Sequence, residues 1–166
     1  MITKRRLLSV ACAGALASLA PIAAAYGQQA TAKDKIVGNW RLVSLFTKEI
    51  ATGKTTSPLG EHPKGYLIYT PEGRMVALLV HEKRSPPQAD EDRITLHKYM
   101  VAYSGRYSVG GDKVVHDVDI SLNESWTGTD QVRFFELEGD KLTITAPVDA
   151  INGLESTSVL IWERER

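Results

Sequence analysis

The chain has 166 residues, 43% of them hydrophobic, and its 20 basic residues balance 20 acidic ones. This length and apolar content suit one domain with one core. A single cysteine, Cys12, excludes an intramolecular disulfide and a cysteine-rich metal site.

The first thirty residues have the pattern of a secretory signal peptide. Residues 4–6 are basic, residues 7–19 form an apolar, alanine-rich segment, and residues 23–25 fit an A-x-A cleavage site. The apolar segment is too short for a transmembrane anchor, so we expect no transmembrane segment in the mature protein. Cleavage is predicted after Ala25 or Gly27, by the general or the twin-arginine route.

The predicted signal peptide covers residues 1–27, a polar tether covers 28–35, and one domain covers 36–166. Export places that domain in the periplasm or outside the cell. Removing the leader takes away Cys12 and three basic residues, which leaves a mildly acidic domain without a thiol or a basic run. We therefore expect no nucleic-acid partner.

Eight segments have the composition and alternation of β-strands, and tight turns join several of them. They are residues 36–48, 65–70, 74–81, 103–109, 113–122, 130–138, 142–146 and 157–164. We predict an all-β fold, an eight-stranded antiparallel up-and-down barrel, with two packed sheets as the alternative. The second and third strands are apolar on both faces, so alternation leaves their inward face open.

The first and last strands carry the residues that predict closure. Gly38 has no side chain and so lets another backbone approach closely. Trp40 is large enough to fill one end of a core. If these strands pair, Arg164, or failing that Arg166, can place its guanidinium against the Trp40 indole.

One short helix is predicted between the third and fourth strands. Asp90 is a suitable N-cap, and Leu96, Tyr99, Met100 and Tyr103 recur at helical spacing. We expect this amphipathic helix to cover part of the barrel and to be the only helix of the mature domain. Residues 51–64 and 147–155 are predicted loops.

These patterns resemble a known family. Gly38-x-Trp40 on the first strand with an arginine on the last resembles the calycin signature, and residues 36–44, 65–73, 103–107 and 131–137 resemble the bacterial and fungal lipocalin-like domain family. The resemblance covers residues 36–164, although the disulfide of many secreted lipocalins is absent. It implies a lipocalin-like barrel that binds a small molecule, with no general reaction attached.

His116 is the first candidate ligand-binding residue. It is the one titratable residue on an otherwise aliphatic face of the strand at residues 113–122, so it should point into the barrel. A neutral imidazole there can contact a ligand or act as a base. The alternative is a core histidine whose hydrogen bonds are satisfied by a hydroxyl such as that of Tyr107, which is itself a candidate ligand contact.

Arg133 is the second candidate, flanked on the same predicted inward face by Gln131 and Phe135. A buried arginine needs an anionic partner, from the protein or from a ligand. The alternatives are an arginine that reaches solvent at the mouth and a register shifted by one residue. Trp126, in the preceding loop, is predicted either to line the mouth or to pack on the barrel end.

No metal or cofactor site is expected. The four histidines lie in different elements without paired spacing, and there is no nucleophile elbow or glycine-rich phosphate loop. We assign no catalytic residue.

Three functions are compatible with these patterns. The leading hypothesis is an exported carrier or sensor of a small apolar or amphipathic molecule, including molecules with an anionic end. The second is a barrel isomerase or cyclase in which His116 and Arg133 act on the substrate, which requires these side chains and a tyrosine to converge. The third is an interaction module, for which we expect an exposed apolar patch.

Overall fold

The computed structural model describes residues 31–151 and 154–166, so the predicted signal peptide lies outside the described residues. The elements are α1 (Ala32–Ile36), β1 (Gly38–Glu49), β2 (Thr55–Thr56), β3 (Lys64–Tyr69), β4 (Arg74–Val80), α2 (Asp90–Lys98), β5 (Met100–Gly110), β6 (Lys113–Ser121), a 3-10 turn (Glu124–Trp126), β7 (Asp130–Glu138), β8 (Lys141–Thr145), β9 (Asp149–Ile151) and β10 (Leu154–Arg164).

Eight long strands form a closed antiparallel barrel in the order β1-β3-β4-β5-β6-β7-β8-β10, and β10 pairs back onto β1. This confirms the predicted eight-stranded up-and-down fold. Two short strands are added at the edge, β2 on β1 and β9 on β10. The loops predicted for residues 51–64 and 147–155 were wrong in part, because β2 lies in the first of them and β9 lies in the second.

The burial of side chains along β3 and β4 establishes which face points inward. Leu67 and Tyr69 on β3, and Met75, Ala77 and Leu79 on β4, are buried. Their neighbours in sequence point outward, as the two-residue period of a strand requires. Tyr69 therefore enters the barrel interior, although sequence alternation could not place it.

The outer face of the same sheet carries exposed apolar side chains. Tyr66 lies opposite Leu78, while Val76 and Ile120 both lie opposite Ser104. Tyr66, Val76, Leu78 and Ile120 are all exposed. The exposed apolar surface expected for an interaction module is thus present.

One end of the barrel is closed by Trp40 and Arg164, which face each other across the β1–β10 pair. The Arg164 Cζ lies 4.1 Å from the centroid of the fully buried Trp40 ring, so the predicted cation–π contact is present. Arg164 also donates hydrogen bonds to the carbonyl oxygens of Val37, at 2.8 Å, and Lys35, at 2.6 Å. The closing strand is therefore fastened to the segment that precedes β1.

Gly38 has a different role from the one predicted. Its φ is +139°, and a Cβ at this position would lie 2.6 Å from Nη1 of Arg164. The space that the missing side chain leaves is therefore filled by a guanidinium and not by a neighbouring backbone.

The helices differ from the prediction in three ways. Residues 32–35 of the predicted tether and Ile36, predicted to open the first strand, form α1, because Thr31 and Asp34 make reciprocal capping hydrogen bonds. The predicted helix is present as α2, but it has no buried residue and so does not cover the barrel. β5 begins at Met100 and so includes Met100 as well as Tyr103, which was predicted both in the helix and at the start of a strand, since pairing with β4 begins at Val80–Met100.

Within the described ranges, no helix is long and apolar enough to cross a membrane.

Candidate ligand-binding site

The barrel is hollow and contains a cavity of about 510 Å³. Most of its wall is aliphatic, with Leu45, Leu67 and Leu79 among the contributing side chains. The wall extends to Trp126, Asp130 and Val148, at the end of the barrel opposite the Trp40–Arg164 closure. A cavity of this size and character is typical of sites for small organic molecules.

His116 lies at the polar side of this cavity and is 1% exposed. Its Nε2 is 2.7 Å from the hydroxyl of Tyr69, and its Nδ1 is 3.0 Å from the hydroxyl of Tyr103. The prediction that His116 points inward is confirmed. Its partners are not Tyr107, whose hydroxyl donates to the carbonyl of Thr70 at 2.8 Å.

The three side chains of this cluster are all neutral at ordinary pH. Burial, with a smaller effect from the charge of Arg133, lowers the pKa of His116 from 6.5 to about 3. Burial raises the pKa of Tyr69 and of Tyr103, and the charge of Arg133 acts in the opposite direction on both. The cluster is therefore a chain of neutral hydrogen-bonding groups beside one cation.

Arg133 supplies that cation from β7 and lies in the cavity wall. It donates to the carbonyl of Val132 at 2.7 Å and to the side-chain oxygen of Gln131 at 3.2 Å. In the described part of the chain it forms no ion pair with a carboxylate. An anionic partner for Arg133 is thus not supplied by these protein side chains.

The remaining predicted ligand contacts divide into two groups. Gln131 and Trp126 line the cavity with His116 and Arg133, whereas Tyr107 and Phe135 do not. Tyr107 packs on the Tyr69 ring toward the closed end, and Phe135 packs against the core. Gln131 and Arg133, on the predicted inward face of β7, therefore line the cavity near its mouth. Phe135, on the same face, packs against the core and does not line the cavity.

Trp126 combines the two roles that the sequence left open. Its ring lies edge-on to that of Tyr103, with centroids 5.5 Å apart, and the Arg133 guanidinium lies 5.9 Å from its ring centroid. The same side chain borders the main cavity and a second hollow of about 350 Å³ beside the 3-10 turn. It packs on the barrel end and lines the mouth at once.

Sequence reasoning missed Tyr69, Tyr103 and Trp162 as site residues. Tyr103 was predicted both at the end of a helical repeat and at the start of the strand at 103–109, and its hydroxyl was not singled out. Trp162 lines the cavity, and its Nε1 is a buried donor without a partner in the described residues. Its position on the inward face of the last strand was the available signal.

Among residues 31–151 and 154–166, no three His, Cys, Asp or Glu side chains are grouped as they would be around a metal ion.

Comparisons with known proteins find three similarities. The 4'-hydroxy-3'-methoxypropiophenone carrier protein ppsC of Aspergillus oryzae is 32% identical over 84 residues, which cover 45% of this chain and 76% of that protein. A solved structure of an uncharacterised protein from Bacteroides eggerthii aligns with a TM-score of 0.40 and 12% identity, over 78% of this chain and 98% of the other. The model of the lipocalin-like domain family matches residues 37–165. The chain therefore belongs to the lipocalin-like domain family.

Proposed function

We propose that this protein is an exported carrier or sensor that binds a small apolar or amphipathic molecule inside its barrel. The observation that carries the proposal is the cavity of about 510 Å³, whose mostly aliphatic wall also presents polar side chains, His116 and Arg133 among them. An aliphatic wall favours desolvation of an apolar body, while a few converging polar groups orient its polar end.

The position of Arg133 supports a ligand with an anionic or strongly polar end. The guanidinium lies in the cavity wall without a carboxylate partner among the described side chains. A half-buried cation is stabilised by an anion or a strong acceptor nearby. The similarity to a protein named as the carrier of an aryl ketone supports a ligand that joins an apolar ring to an oxygen acceptor.

A barrel isomerase or cyclase is the second candidate, because His116, Tyr103 and Arg133 do converge at the cavity wall. The protonation chemistry argues against it. An imidazole whose pKa is lowered to about 3 is a weak base near pH 7, and both nitrogens of His116 already have tyrosine partners. Binding without chemistry is therefore the function that we propose.

The test of binding is native mass spectrometry of the mature domain purified from its own host. We expect an associated small molecule on the wild-type protein and none on the Ala77→Phe variant, since Ala77 lies in the cavity wall and a phenylalanine there occupies the space. The matched control is Val76→Phe, which changes the next residue on the outer face of the same strand. Equal occupancy of all three proteins would contradict binding inside the barrel.

Export is a separate part of the proposal, and the same purification tests it. The intact mass should correspond to cleavage after Ala25 or Gly27, and the protein should be recovered from the periplasmic or culture fraction. Recovery of the full-length chain from the cytoplasm would contradict export.

A further inference from the structure

The hydrogen bonds of the His116 cluster have one consistent direction. A neutral imidazole has one donor and one acceptor nitrogen, so one tyrosine donates to His116 and the other accepts. Tyr69 is 1% exposed and does not line the cavity, and His116 Nε2 is the one partner that its hydroxyl has in the described part of the chain. Tyr69 therefore donates to Nε2, because otherwise a buried O–H would lack an acceptor.

The other half of the cluster follows from this assignment. The imidazole proton lies on Nδ1 and is donated to the hydroxyl oxygen of Tyr103. Arg133 is close enough for its charge to act on that hydroxyl, and an arginine offers no acceptor for the Tyr103 proton. The oxygen of Tyr103 thus receives the imidazole proton, and its own proton has no acceptor within the cluster. Tyr103 lines the cavity, so the proton is available to a ligand there.

We propose that Tyr69 and His116 are positioning residues that fix the Tyr103 hydroxyl as a donor into the cavity, so that the protein selects molecules with a carbonyl or carboxylate oxygen at the buried end. Arg133 is a further donor in the same wall, as is Nε1 of Trp162, which has no hydrogen-bond partner among the described residues. A ligand end that can only donate finds no partner at this cluster. The inference rests on the proposed binding function and specifies the polar chemistry of its ligand.

Four molecules with one phenylbutyl skeleton test this selectivity by isothermal titration calorimetry at pH 7. They are butylbenzene, 4-phenylbutan-2-one, 4-phenylbutanoate and 4-phenylbutylamine. We expect the ketone to bind about tenfold tighter than butylbenzene, the carboxylate tighter still because of Arg133, and the ammonium form of the amine weakest. Tyr103→Phe should weaken the ketone and the carboxylate about tenfold and leave butylbenzene within about twofold.

Tyr69→Phe separates positioning from packing, because Tyr69 does not line the cavity. Without its donor, His116 is free to take the other tautomer and to accept the Tyr103 proton itself. We expect weaker binding of the ketone with unchanged binding of butylbenzene. The control is Tyr66→Phe, the same substitution on the outward face of β3, which should change neither affinity.

The tautomer is measured directly in the ligand-free wild-type protein by ¹H–¹⁵N NMR of ¹⁵N-labelled histidines, with the His116 signals identified by their loss in His116→Gln. A proton on Nδ1 supports the proposal, and a proton on Nε2 overturns it. Equal affinities for all four molecules would overturn the selectivity while leaving the barrel as a binding protein. Binding of none of the four would overturn the proposed function as well.

Discussion

At the scale of single residues, the burial of His116 makes the free energy of unfolding depend on pH. Its pKa is about 3 in the folded protein, against 6.5 for an ordinary histidine. Between pH 6.5 and about 3, the imidazole of the unfolded chain is therefore protonated while that of the folded protein is not. The free energy of unfolding consequently falls as the pH drops through this range. Above pH 6.5 both states are neutral at this residue, and its contribution does not change.

We predict that lowering the pH from 7.5 to 4.5 costs the wild-type protein about 2 to 3 kcal/mol more stability than it costs His116→Gln. The variant lacks the titrating imidazole but keeps every carboxylate, so the difference between the two proteins isolates His116. Urea unfolding at several pH values measures it. A parallel decline of the two proteins would show that His116 accepts a proton in the folded state.

Gly38 gives a second prediction at this scale. Gly38→Ala puts a methyl group where the Arg164 guanidinium lies and forces a side chain onto a φ of +139°. We expect a loss of about 2 to 4 kcal/mol in the free energy of unfolding.

The matched control for this variant is Gly110→Ala, where an added Cβ meets no atom within 4 Å. Urea unfolding should show little change for Gly110→Ala. A similarly small effect at Gly38 would mean that Arg164 relocates without cost.

The sequence predicted the direction of His116 but not its partners. Alternation along β6 predicted the inward face correctly from Val114 to Val118, but Ile120, which the same period placed inward, is exposed beyond the register shift. One partner, Tyr69, lies on β3, where apolar residues on both faces left its inward or outward direction undetermined. The other depends on a bulge in the β5–β6 pair between Ser104 and Gly105. A bulge of this kind changes which residues of two strands lie opposite each other, and so how far along the barrel axis a side chain lies. The periodicity of the sequence does not contain this information.

At the scale of elements, Arg164 fastens β10 to the start of β1. We predict that Arg164→Met lowers the free energy of unfolding by about 2 kcal/mol or more, since two carbonyl oxygens and the Trp40 ring lose their cationic partner. Hydrogen–deuterium exchange should accelerate first in β1 and β10.

The control for this variant is Arg41→Met, which removes an exposed ion pair with Glu163 across the same two strands. We expect that change to cost less than about 1 kcal/mol. Exchange that accelerates uniformly around the barrel in Arg164→Met would contradict a local fastening role.

The helices show where element prediction failed and why. The sequence Thr31-Ala32-Lys33-Asp34 contains the spacing of a capping box, a signal that the polar composition of the segment obscured. At the other helix, Tyr99, Met100 and Tyr103 fit helical and strand spacing about equally well. Pairing with the neighbouring β4 decided in favour of a strand from Met100 onward, which is information that a local pattern does not contain.

At the scale of the whole molecule, the hollow interior provides space for a ligand but lowers the stability of the protein, because that space holds no packing contacts. An unfilled space forgoes the contacts that stabilise a dense core. We predict that Ala77→Ile, which adds apolar atoms at the cavity wall, raises the free energy of unfolding by about 1 kcal/mol while weakening binding of butylbenzene. Thermal denaturation and calorimetry on the same preparations measure both effects. A destabilised variant with unchanged affinity would show that the space beside Ala77 is not the binding space.

The two ends of the barrel also differ in what they carry. Thr31, which caps α1, and Arg164 both lie at the closed end, while Trp126 and Asp130 mark the mouth at the other. A linker, affinity tag or sensor surface joined at Arg166 therefore leaves ligand access unobstructed. The molecule can be immobilised in one orientation with every mouth facing the solution.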